Sequence, residues 1–330
     1  MAAINGCTAR LVSFGHGVRC LAVCSALIWA FVPSSAPLLA SPPETFPGEA
    51  AVTLDYAIGE TLLALNAPPI AMGGVAGYRR WRRDADVMRG VVELGHRHLP
   101  NFERLQALAP TRVLISPPAH ANLEGMLGRI AEVERYSLFG TSDSLSERLI
   151  ALTQWLGELI GAEAGAQRYL NRYDARVREL RDYIGRLDEP LIVLRLMDER
   201  HARVFGRGSL EDMVLNDLGI DNAWDGETSR WGIATLSAES LFEVEARALF
   251  LESPYSDVGT QSRLLGQGLW QHWPAVTRHD PLIVPVSHWH WGGLPSAMRF
   301  AESLVDGLSA GDVRSAEPQA GGCQDCEFHR

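Results

Sequence analysis

The most constraining feature of this chain is an uninterrupted apolar stripe near its middle. Leu170, Tyr173, Val177, Leu180, Ile184 and Leu187 follow one another at spacings of 3, 4, 3, 4 and 3 residues. That is the period at which side chains share one face of an α-helix. Arg172, Asp174, Arg176, Glu179 and Arg181 fill the other faces. At ~1.5 Å per residue the stripe is ~25 Å long, about the diameter of a small domain. Such a helix can run along two neighbouring bodies as a stiff strut. The competing reading is half of a coiled-coil dimer, but the repeat covers under three heptads and a coiled coil asks for more.

On either side of the stripe, short apolar runs alternate with amphipathic stretches, the pattern of strand and helix units in an α/β fold. Upstream, strands are predicted over 51–54, 69–72, 91–94 and 112–116, with helices over 56–66 and 101–109. Downstream, strands are predicted over 191–194, 246–251 and 282–286, with a last helix from Pro295. Ser144 and Glu147 have capping-box spacing and open the helical region. The predicted architecture is therefore two α/β lobes joined by a single long interdomain helix. Its expected divisions are an N-terminal lobe over 41–143, a helical region over 144–189, a C-terminal lobe over 190–310 and a flexible Gly/Ala/Ser-rich tail over 311–330.

Residues 1–40 read as a cleavable export signal. Arg10 and Arg19 precede a short apolar run and small residues leading to a cleavage point after Ala40, with no acid in the segment. A lipoprotein reading would use Leu21-Ala22-Val23-Cys24, but Val23 is bulky where a small residue is needed. Loss of the signal leaves Cys323 and Cys326 as the mature cysteines. A single CxxC lacks the second ligand pair of a structural zinc site, so a small disulfide loop or an inert tail is the reading in an oxidising compartment.

Charge and motifs remove several function classes. The net charge is −10, and all 30 basic residues are arginine with no basic stripe, which argues against nucleic acid. The chain has no GxSxG elbow, no phosphate-binding Walker loop, no HExxH and no dinucleotide GxGxxG. Gly206-Arg207-Gly208-Ser209 reads as a turn followed by an N-cap. An exported hydrolase would need an activated nucleophile with a base at motif spacing, and none is found.

What stands out is aromatic and histidine density just after predicted strands. Tyr78, Arg79, Arg80 and Trp81 follow one strand, His96, Arg97 and His98 another, and His288, Trp289, His290 and Trp291 the last. Ligands of α/β lobes bind beyond the carboxyl ends of strands, so these clusters fall where a site belongs. Tryptophan rings supply flat apolar contact and arginine supplies planar donors for oxygen acceptors, a combination suited to a bulky, oxygen-rich ligand. The paired histidines, two apart, raise a direct metal site, yet spacing alone assembles no set of histidine and carboxylate ligands.

Four segments carry a resemblance. They are 60–65 through Tyr78-Arg79-Arg80-Trp81; Gly95-His96-Arg97-His98-Leu99-Pro100-Asn101; Gly219-Ile220-Asp221-Asn222-Ala223-Trp224-Asp225-Gly226-Glu227-Thr228 with Trp231-Gly232; and Pro295-Ser296-Ala297-Met298-Arg299-Phe300. Over roughly 54–308 the chain resembles the ferric-hydroxamate branch of the iron-siderophore substrate-binding proteins, whose fold is the helical-backbone periplasmic binding protein. The resemblance implies a periplasmic monomer that captures a ferric siderophore and delivers it to an ABC permease and its ATPase, with Fe(III) carried inside the ligand and no permanent cofactor. Cobalamin or haem is the alternative ligand on the same fold. Arg97 matches the arginine directed at hydroxamate oxygens, and Trp231 and Trp289 match pocket aromatics, with Trp291 competing for the second of these positions. Tyr78 and Trp81 fall in the first matching segment. His120 stands where the pattern has a hydrogen-bonding tyrosine. His290 is the candidate to complete the iron sphere of a siderophore with fewer than six donors. Glu239, and Glu124 displaced by about one place, match the acidic positions that dock on the permease.

Overall fold

The computed structural model describes residues 51–139 and 144–316. The predicted export signal, Cys323 and Cys326 lie outside the described residues.

Two five-stranded sheets carry the fold. In the first, the order is Val92–Glu93, Ala71–Met72, Ala51–Thr53, Arg112–Ile115, Glu132–Arg135, and every pairing is parallel. Parallel neighbours need crossovers, and the helices Tyr56–Ala64, Val75–Arg82 and Phe102–Leu108 provide them. Asp55 follows the central strand and caps the first helix, its carboxylate accepting from the N–H groups of Ala57 and Ile58 at 2.9 and 3.2 Å.

The second sheet has the order Ile233–Ser237, His201–Phe205, Leu191–Leu196, Arg247–Glu252, Leu282–Pro285. Its first two pairings are antiparallel and its last two parallel. Glu132–Arg135 and Ile233–Ser237 are strands that apolar runs do not announce. Both are edge strands, and neither holds a fully buried residue, so their sequences need not be apolar. The strand predicted over 91–94 shortens to Val92–Glu93.

Between the sheets the chain passes through two helices. The first, Leu145–Leu159, opens with the predicted capping box: the Ser144 hydroxyl accepts from the Glu147 N–H at 3.2 Å, and the Glu147 carboxylate accepts from the Ser144 N–H at 2.9 Å. The second, Glu163–Ile184, is 22 residues long. It stops short of Leu187, where Gly185 takes a φ of +63° that a side-chain-bearing residue would resist. Val177 and Leu180 are buried, and Leu170, Tyr173 and Ile184 pack half-buried against the same core.

This crossover helix packs on Leu145–Leu159, on Leu210–Leu218 and on the last helix, Leu294–Ala316. The last helix also packs on Tyr56–Ala64, so it reaches back to the first sheet's layer. The chain crosses between the sheets once, but two long helices hold the halves together. Ile58, Leu62, Leu156, Leu180, Phe205, Leu215 and Phe300, drawn from both halves, belong to one buried cluster. The last helix extends past residue 310 into the segment expected to be a tail.

Candidate functional site

Beyond Val92–Glu93 the chain makes a small antiparallel ribbon, Gly95–His96 against Leu99–Pro100, with Arg97 and His98 at its turn. Glu93 braces the ribbon, its carboxylate accepting from the N–H groups of Gly74, Gly95 and Ala76 at 3.0, 2.9 and 2.8 Å. Nothing local in the sequence marks Glu93 for this task. The Arg97 guanidinium carbon stands 5.2 Å from the centre of the Tyr56 ring and 5.3 Å from that of Trp289, within cation–π range. Arg97 Nε donates to His98 Nε2 at 3.2 Å, while Nη1 is buried with no partner among the described residues. Tyr56 donates its hydroxyl to the Gly74 carbonyl at 2.8 Å, and burial pushes that hydroxyl up to about 12, so it stays neutral.

Trp289 links the aromatic residues of the two halves. Its ring centre lies 5.3 Å from Tyr56, 5.0 Å from Trp81 and 4.8 Å from Trp291. Trp291 lies 6.4 Å from Trp231, which meets Phe139 at 5.1 Å. Arg97, Trp81, Trp289, Trp291 and Trp231 thus form one connected row. Trp81, Trp231, Trp291 and Arg97 remain half-buried, with surface to offer a ligand. Tyr255 was not foreseen: it lies 5.4 Å from Trp81 and under the Arg80 guanidinium at 4.8 Å, and is 54% exposed. A lone tyrosine after a proline carries no pattern, although its position past the strand Arg247–Glu252 was a usable clue.

The histidines divide into exposed and buried. His96 and His98 are exposed, and the His98 ring stacks on His120 at 5.2 Å and 26°. His120 is fully buried, its Nδ1 accepting from the Ser116 N–H at 3.4 Å. Burial holds it down to about 4, so it is neutral at pH 7. Expected at the ligand surface, His120 stands behind His98 instead.

Tyr78 also lacks ligand-facing surface. It is fully buried, and its hydroxyl donates to Glu60 Oε2 at 2.6 Å and accepts from Arg82 Nη1 at 2.7 Å. Burial raises both the Glu60 carboxyl and the Tyr78 hydroxyl above their ordinary values. Glu60 further accepts from the N–H groups of Gly293 and Ser296 at 2.6 and 3.3 Å and from the Ser296 hydroxyl at 2.9 Å. It thereby satisfies the open N–H groups at the start of the last helix. A Cβ on Gly292 would lie 2.6 Å from Glu60 Oε1 and 2.3 Å from Ser296 Oγ, so a side chain there would break the network.

His290 is 3% exposed, stacked on Phe205 at 4.7 Å, with its Nδ1 2.5 Å from Glu211 Oε1. In this structure it turns inward and offers no surface for completing the coordination of a bound iron. The alternation of the loop puts His288 and His290 against Glu211, and Trp289 and Trp291 against the aromatic row. Burial pushes the Glu211 carboxyl up, but the proximity of His290 and hydrogen bonds from both histidines outweigh it and hold the group down at about 2, while burial holds His290 itself below its ordinary value.

Glu239 is exposed in the first turn of Ala238–Leu241, which follows the strand Ile233–Ser237. Glu124 begins Glu124–Leu127 and pairs with Arg135 at 3.1 Å. Each lies beyond the carboxyl end of a strand in its own sheet.

Comparison with known proteins places the fold. Residues 51–280 match the family described as periplasmic binding protein. The iron(3+)-hydroxamate-binding protein FhuD of Escherichia coli K12 is 30% identical over 258 residues, spanning 78% of this chain and 86% of FhuD. The crystal structure of Vibrio cholerae FhuD, a siderophore-binding protein bound to Fe3+-Desferal, has a TM-score of 0.72 at 26% identity and covers 79% of this chain and 98% of its own. Bacillus subtilis FeuA, complexed with ferri-bacillibactin, shares the fold at a TM-score of 0.65 and 16% identity, over 82% of this chain and 95% of its own. With a family match across most of the two sheets and a curated relative aligned over most of both chains, this protein belongs to the periplasmic binding protein family.

Proposed function

We propose that the protein is an exported substrate-binding protein of an ABC importer, which captures a ferric siderophore of the hydroxamate type and hands it to an inner-membrane permease and its ATPase. The observation that carries this reading is Arg97. Its guanidinium is held between the rings of Tyr56 and Trp289 with a buried Nη1 that has no partner among the described residues. A desolvated donor of this kind is costly unless an acceptor meets it, and hydroxamate oxygens are such acceptors. The half-buried Trp81, Trp231 and Trp291 supply flat apolar surface beside it. The identity with FhuD adds independent support.

In this reading iron is cargo. Ferric iron prefers hard oxygen donors, so a siderophore that supplies them fills the metal sphere, and the protein binds the ligand's outer surface. The lobes over 41–143 and 190–310 hold the ligand between them, the signal over 1–40 is removed on export to the periplasm, and the mature chain acts as a monomer. In this reading the ligand leaves chemically unchanged. Glu239 and Glu124 present acidic side chains to the permease.

Tryptophan fluorescence of the purified protein, titrated with ferric hydroxamates, ferric catecholates, cobalamin and haem, tests the proposal. Saturable quenching by a ferric hydroxamate at sub-micromolar concentration is the expected result. Quenching by cobalamin or haem alone would refute it.

A further inference from the structure

Glu211, His288 and His290 meet where the helix Leu210–Leu218 begins and the loop after the strand Leu282–Pro285 turns back. Their ligand atoms all lie within 4.8 Å of one another. The side chains of Glu211, His288 and His290 are 0, 1 and 3% exposed. Glu211 Oε1 is 3.0 Å from His288 Nε2 and 2.5 Å from His290 Nδ1. The imidazole planes stand at 89° to each other, so both rings converge on the carboxylate instead of stacking.

Hydrogen bonding does not close within this cluster. Two imidazoles address one carboxylate oxygen, while Glu211 Oε2, His288 Nδ1 and His290 Nε2 are buried with no partner among the described residues. A buried carboxylate is unfavourable unless a cation or a full set of donors meets it. Neither is present around Oε2, and a cation on the carboxylate offsets the charge that its two oxygens share.

We propose that Glu211, His288 and His290 hold one divalent transition-metal ion of the zinc type, as a structural site that fixes the loop carrying Trp289 and Trp291. Two imidazole nitrogens and one carboxylate oxygen are donors that zinc takes readily. Around a tetrahedral ion with ~2.0–2.1 Å bonds, neighbouring donors stand about 3.3 Å apart. The 3.0 and 2.5 Å contacts open toward that spacing by small side-chain rotations. Iron carried inside a siderophore already has the hard oxygen donors it prefers, so this buried site is distinct from any iron carried in a ligand.

Enclosure makes the role structural. The ion enters as the loop folds onto the helix, which couples its binding to folding. His288 and His290 flank Trp289 in sequence, so their ligation sets the direction in which Trp289 and Trp291 face the aromatic row. This inference does not depend on what the row binds.

The test uses the full chain with Cys7, Cys20, Cys24, Cys323 and Cys326 each replaced by serine, which keeps thiols from competing. The protein is unfolded in chelator, refolded metal-free and titrated with zinc chloride, read by calorimetry and by thermal melting. One zinc per chain and a raised melting temperature are expected. Glu211→Gln, which preserves shape, should weaken zinc by at least the 10- to 100-fold typical of losing even an outer-shell partner, roughly. Cobalt(II) in place of zinc should give the intense visible absorption of a tetrahedral site, and Glu211→Gln should abolish it. Absence of stoichiometric uptake by the parent, or uptake unchanged in Glu211→Gln because exposed His96 and His98 hold the ion, would overturn the proposal.

Discussion

Glu60 and Gly293 are 233 residues apart in sequence, yet the Glu60 carboxylate accepts the Gly293 N–H at 2.6 Å. Glu60 belongs to the first helix of the first half, and Gly293 stands at the start of the helix that closes the second. Arg83 makes a second tie, its Nε donating to the Val286 carbonyl at 2.9 Å. These bonds, with the buried cluster shared by both halves, oppose hinge bending. Closure on ligand should therefore be small compared with hinged binding proteins. Small-angle scattering curves with and without ligand are expected to nearly overlap, and a large fall in radius of gyration would contradict the structure's stiffness. Glu60→Ala should remove this brace and lower stability by about 3–5 kcal/mol, as breaking a buried charged network does.

Arg97→Ala should weaken ligand binding by about 1.5–3 kcal/mol, the worth of a charged hydrogen bond in a desolvated site. That is roughly a ten- to hundredfold rise in dissociation constant. The empty protein should lose no more than about 1 kcal/mol, the scale of an exposed cation–π contact. Arg97→Lys should recover part of the affinity only, since an ammonium lacks the planar fork. Fluorescence titration paired with thermal melting separates the two effects, and an unchanged affinity in Arg97→Ala would leave the site without its centre.

Charge reversal at Glu239 probes docking. The side chain is exposed, so Glu239→Arg should fold and bind ligand as the parent does. Uptake of the ferric ligand by cells that depend on this protein should fall. Glu124→Arg should act in the same direction, with the added loss of its pair to Arg135, a surface contact worth ~0–1 kcal/mol. Loss of ligand affinity in Glu239→Arg would place that residue in the binding site instead.

His120 links stability to pH. Its folded value is held down to about 4 by burial, below the ordinary 6.5. Between those values the unfolded chain binds the extra proton and the folded chain does not, so stability falls as pH drops from about 6.5 toward about 4 and is level in this respect outside that window. The full effect is on the order of 3 kcal/mol. His120→Gln removes this titration. Urea unfolding at pH 7 and near pH 4 should show a smaller acid-induced loss in the variant, and equal losses in both proteins would exclude His120 as the cause.

Periodicity and turn chemistry, which act over a few residues, were legible in the chain itself. The long helix Glu163–Ile184 followed from the spacing of Leu170 to Ile184, the capping box from Ser144 and Glu147, and the place of Arg97 from a strand, a glycine and a helix start in succession. Only tertiary packing decided which side of each cluster faces inward. Tyr78, His120 and His290 looked like their neighbours in sequence, yet each is buried against a partner on another element. The contacts that matter most span long separations: Glu60 reaches Gly293, and Glu211 reaches His288 and His290 from 77 and 79 residues away. An isolated glutamate carries no local sign of its partner, because the energy that selects the pairing comes from burial, and burial exists only once the two halves have packed together.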